Sequence, residues 1–83
     1  LMLNVKQSYR IAKNLSPNLY LISILNFGED FGFLFSKKKN ESMIGSSYIL
    51  INKKTKDFSL LPTTPGNIKK MNDAKKIPLM AVV

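Results

Sequence analysis

Catalysis needs side chains that move protons, attack carbonyls or hold metals, and this chain is poor in them. Its 83 residues include no histidine and no cysteine. The commonest general base and metal ligand is therefore missing, together with thiolate metal sites, a thiol nucleophile and disulfides. Ser8, Ser23 and Ser59 have no imidazole to activate them. A Ser–Lys pair stays open in a lysine-rich chain, but no spacing singles one out. Of the five carboxylates, Glu29 and Asp30 are adjacent. Neighbours in an extended chain point apart, which is poor geometry for an acid–base pair; both read as turn formers. No glycine-rich phosphate loop, HExxH, CxxC or GxSxG pattern occurs. The residues show no catalytic constellation, and the expectation is that the chain is not an enzyme and has no cofactor and no metal.

Charge is the more informative chemistry. Thirteen basic and five acidic residues give a net charge of +8, a field that favours an acidic protein, nucleic acid or an anionic surface. Twelve of the bases are lysine, whereas phosphate and base-edge recognition more often uses the arginine fork. Solubilising decoration is the plainer reading of the lysines. Nothing reads as a signal peptide. The longest apolar run, Leu19 to Leu25, is interrupted by Ser23 and falls short of the roughly 20 residues of a membrane span. A cytoplasmic, membrane-independent protein is expected.

The elements that position these residues are legible as periodicity. Asn4 to Leu15 predicts a helix: Val5, Tyr9, Ala12 and Ile11/Leu15 share one face, Asn4 can cap it, and Ser16-Pro17 stops it. Leu19 to Phe27 alternates, with Leu19, Leu21, Ser23, Leu25 and Phe27 on one side and Tyr20, Ile22, Ile24 and Asn26 on the other. Gly28-Glu29-Asp30 makes a hairpin turn, and Phe31, Phe33 and Phe35 return on one face as core aromatics. Lys37, Lys38 and Lys39 sit in a solvated loop, and Gly45 predicts a bulge or a positive φ. Tyr48, Leu50 and Asn52 oppose Ile49 and Ile51; after a polar turn, Phe58 and Leu60 oppose Ser59 and Leu61, until Pro62 ends the pairing. Thr64-Pro65 starts a short helix to Ala74. The predicted fold is α+β: a single domain, residues 1–83, with a four-stranded, mostly antiparallel meander, the N-terminal helix packed on one face and a short C-terminal helix. Residues 77–83 are a tail or an extra strand.

The stretches Glu29-Asp30-Phe31-Gly32-Phe33-Leu34-Phe35, Ile44-Gly45-Ser46-Ser47-Tyr48-Ile49-Leu50-Ile51-Asn52-Lys53-Lys54-Thr55-Lys56 and Pro65-Gly66-Asn67-Ile68 resemble the small bacterial immunity proteins of the YrhB type, the immunity protein 35 family. The likeness covers roughly residues 5 to 72. Phe33 stands where the family favours tryptophan, and Lys56 where its turn has a glycine. A glycine there would supply a positive φ, which lysine adopts only at a cost. The resemblance implies a non-enzymatic protein that neutralises a cognate toxin by binding it. The basic charge argues against a nuclease toxin and leaves a peptidase-type one.

The expected contact residues are those of the turns and sheet edges: Tyr20, Glu29, Asp30, Lys37, Lys38, Lys39, Tyr48, Lys53 and Lys54. Tyr20 or Tyr48 can equally cover the second sheet face. The alternative reading is a nucleic-acid-binding module that sets its lysine loops against phosphates. An exposed edge strand would also offer a route to a homodimer.

Overall fold

The computed structural model describes residues 1–37 and 46–83. In chain order these form α1 (Val5–Leu15), β1 (Tyr20–Asn26), β2 (Asp30–Ser36), β3 (Ser47–Asn52), β4 (Phe58–Pro62), α2 (Ile68–Asp73) and β5 (Lys75–Lys76). The sheet runs β4-β3-β2-β1-β5, with every neighbouring pair antiparallel. The α+β meander with an N-terminal helix and a short C-terminal helix is as the periodicity indicates. The strand count is corrected from four to five. Lys75 and Lys76 pair with Asn26 and Leu25, and two polar residues after a helix carry no strand periodicity to read.

α1 starts where the sequence places it because Asn4 and Gln7 form a reciprocal capping box. The Gln7 N–H donates to Asn4 Oδ1 at 2.8 Å, and the Asn4 N–H donates to Gln7 Oε1 at 2.9 Å. Two otherwise orphaned donors are satisfied together. Ser8 and Ala12 are its buried residues, whereas Leu15, expected on the same face, is exposed. The helix covers a first core of Ala12, Ile24, Phe31, Phe33, Phe35, Ile49 and Ile51. The ring of Tyr9 lies 5.9 Å from that of Phe33 and 6.3 Å from that of Phe35. The three phenylalanines of β2 are all buried, the core aromatics their shared face indicates.

The opposite face holds a second core of Leu25, Leu34, Tyr48, Leu50 and Leu61, against which Ile22, Phe27, Met71 and Ala74 pack. α2 is entered through a 3₁₀ turn, Pro65–Asn67, with Pro65 at its first position, and this helix supplies the cover. With both faces covered, the middle strands bury both sets of side chains, which explains their near-continuous apolar sequences.

β1 departs from simple alternation. Leu21 pairs with Phe35 but Ser23 pairs with Leu34, so the register shifts between them in a β-bulge. Leu19 and Leu21 therefore join Ile24 on the α1 face, while Ile22, Leu25 and Phe27 turn to the α2 face. The expected grouping of Leu21 with Leu25, and of Ile22 with Ile24, is overturned. One extra residue in a strand exchanges the faces of everything beyond it.

After β5 the chain does not end as a free tail. Ile77 donates its N–H to the Ile24 carbonyl at 3.0 Å, and a 3₁₀ turn, Leu79–Val82, follows. Ile77 and Val82 pack against the first core. Among the described residues no helix is long and apolar enough to cross a membrane.

Candidate functional site

The two hairpin turns stand side by side at one end of the sheet. The Lys53 N–H donates to the Glu29 carbonyl at 3.0 Å. Asn26 Oδ1 accepts from Lys53 Nζ and from the Gly28 N–H, each at 2.9 Å. The Lys53 ammonium also lies 4.3 Å from the centre of the Phe31 ring. Gly28 has φ +92°, the left-handed conformation that favours glycine. In the second turn, Asn52 Oδ1 accepts from the Lys54 and Thr55 N–H groups, both at 2.9 Å, and Thr55 Oγ1 accepts from the Asp57 N–H at 3.2 Å. That arrangement needs a left-handed residue at Lys56, which has φ 67°.

The expected contact residues do not converge. Glu29, Asp30, Lys53 and Lys54 belong to the turn end. Lys53 is partly buried and engaged within the fold, whereas Glu29 and Lys54 are exposed. Tyr20 is 49% exposed and pairs with Ser36 at the other end, next to exposed Lys37. Lys38, Lys39 and Gly45 lie outside the described residues. Tyr48 is corrected: it is 2% exposed and belongs to the second core. Its hydroxyl shares a 2.8 Å hydrogen bond with Ser23 Oγ, and the Phe27 ring meets its ring at 81°. Burial raises the Tyr48 phenol above its usual value near 10, while the Ser23 hydroxyl bond opposes that rise. A tyrosine so placed is held neutral and anchored, and cannot meet a partner.

The surface that the sequence did not disclose is β4. Among the described residues it pairs with β3 alone and is an edge of the sheet. Ile51 faces Phe58 and Ile49 faces Leu60 across that pair. Ile49 and Ile51 are buried under α1, but Phe58 and Leu60 are 57% and 60% exposed. The apolar face of the sheet thus continues one strand past its helical cover. Lys54 and Lys56 precede this strand in an exposed turn. Pro62, the last residue of β4, was the available signal, since proline within a sheet is confined to edges and strand ends.

The two edges are not alike. β5 is two residues long and both are exposed lysines, a short, charged edge of the kind that resists pairing. β4 has five residues and presents a phenylalanine and a leucine. Among the described residues, no group of three or more histidines, cysteines or carboxylates is placed to hold a metal ion. The chain matches no protein-family model, no curated protein and no solved structure.

Proposed function

We propose that this is a non-enzymatic binding protein that neutralises a toxin by occluding it, and that its contact surface is the open edge of β4. The observation that carries the reading is the β4 edge, unpaired among the described residues, beside exposed Phe58 and Leu60. The occupant is an extended segment of a protein partner that adds to β4 as a further strand. Main-chain hydrogen bonds supply affinity in that mode, and alternate side chains supply selectivity. The net charge of +8, with Lys54 and Lys56 next to the edge, makes acidic residues in the incoming segment favourable. Its apolar residues would rest on Phe58 and Leu60. The resemblance to immunity proteins supports the same class of function.

A library of displayed ten-residue peptides panned on the purified protein tests this. Enrichment of segments that alternate apolar and acidic residues is expected. Leu60→Lys should weaken the best binder by about tenfold or more, roughly 1.4 kcal/mol, with an unchanged circular dichroism spectrum. Enrichment of basic or helical peptides would overturn the reading, as would binding indifferent to Leu60→Lys. So would a concentration-dependent dimer abolished by Leu60→Lys, because β4 would then be occupied by a second copy.

A further inference from the structure

A separate feature lies on the α2 side of the turn end. A cleft of about 760 Å³ opens between the end of β1 and the α2–β5 segment. Lys69, Lys70 and Lys75 line it with one carboxylate, Asp73. Among the described residues the side chains of Lys69, Lys75 and Asp73 take no hydrogen bond and no ion pair. Lys70 holds its ammonium 5.9 Å from the centre of the Phe27 ring. Three cations with little local compensation repel one another, and an anion entering the cleft relieves that repulsion.

The walls narrow the class of anion. Phe27 forms part of the lining. Its ring is wedged over Gly32, where a Cβ would overlap the ring's Cε2 atom. Tyr48 meets the same ring edge-on at 6.0 Å. The ring is thus fixed as an apolar wall next to the lysines. Gly28 lines the other side, and a Cβ built on it would meet nothing within 4 Å. The volume lies in the range of small-molecule sites, about 300–1,000 Å³, and is more than an inorganic anion requires. Lysine binds phosphate as a point charge, and an aromatic wall receives a flat ring.

We infer that this cleft binds a nucleotide, with two or more phosphates against Lys69, Lys70 and Lys75 and the base against Phe27. A free nucleotide and the end of a nucleic-acid strand share that chemistry. The site is distinct from the β4 edge, and neither reading depends on the other.

Calorimetric titration of the full chain with ADP at low salt is the test. One-site binding is expected, and Lys70→Glu and Lys75→Glu should each weaken it about tenfold or more. Lys6→Glu makes the same charge change on the exposed side of α1 and should leave affinity within about twofold, because distant charges are screened. Pyrophosphate should bind about tenfold more weakly than ADP. Amide resonances of Gly28 and Ala74 should shift on ADP addition. A short thymidine oligonucleotide separates the sources: if it outcompetes ADP and is equally sensitive to Lys70→Glu, the natural ligand is a strand end. Equal affinity for pyrophosphate and ADP would overturn the nucleotide assignment. Absence of binding would overturn the site, as would equal losses with Lys6→Glu and Lys70→Glu.

Discussion

Replacing Ser8 by alanine should stabilise the protein. Ser8 is fully buried at the fourth position of α1, and among the described residues its Oγ has no hydrogen-bond partner. An orphaned buried polar atom carries a desolvation cost of about 1–3 kcal/mol. Alanine removes that atom and improves helix propensity by roughly 0.5 kcal/mol. Against this stands the loss of one packed oxygen, since the small void left behind forfeits about 0.5 kcal/mol of contacts. The net gain is about 1–3 kcal/mol, equivalent to a rise in Tm of about 4–8 °C per kcal/mol for a domain of this size. Urea unfolding followed by far-ultraviolet circular dichroism measures it, with the m-value checking that the unfolded state is unchanged. Asn14→Ala, on the exposed side of the same helix, supplies the propensity contribution alone. A Ser8→Ala variant no more stable than wild type, alongside a stabilised Asn14→Ala, would refute the reasoning and show that the hydroxyl is satisfied.

Two further outcomes follow from the turns and the second core. Lys56→Gly should raise stability by about 1 kcal/mol, measured by the same urea transitions. A left-handed L-residue costs roughly 1–2 kcal/mol, of which glycine's added unfolded-state entropy gives back about 0.5–1; Lys56→Ala gains nothing by this argument. Tyr48→Phe should cost about 1 kcal/mol at neutral pH through the lost Ser23 bond. The folded Tyr48 keeps its proton while the unfolded one releases it near pH 10. Wild-type stability should therefore fall above pH 10, and the advantage over Tyr48→Phe should shrink there; an advantage constant to pH 11 would contradict the assignment.

The strands from Phe31 to Ser36 and from Tyr48 to Asn52 were legible because each is a short, near-continuous apolar run with turn residues beside it, the pattern of a strand buried on both faces. α1 was legible because its cap and its proline stop are local. The bulge in β1 was not. Ile22 is apolar in either register, so periodicity cannot say which face it joins. β5 was illegible for a related reason: its place in the sheet comes from docking against Leu25 and Asn26, not from its two lysines. The candidate surfaces were the least readable part. Phe58 and Leu60 have the pattern of core residues, and only the reach of α1 across the sheet decides that they are uncovered. Lys69, Lys70 and Lys75 meet Phe27 and Gly28 across some forty residues of chain, a separation over which no spacing rule operates. Tyr48 failed as a contact residue because its strand lies inside the sheet.

The unequal edges also limit how the sheet can grow. Growth into a filament needs two complementary faces on each subunit, so that every addition creates a new place to add. Here the ladder of β1 is continued by two lysines and Ile77, and a strand arriving at that side finds almost nothing to extend. Two copies joined at β4 would leave only the short β5 edges outside, so self-pairing through the sheet would close at a dimer. A sheet with one short, charged edge and one long one has no open-ended route to polymerise at high concentration.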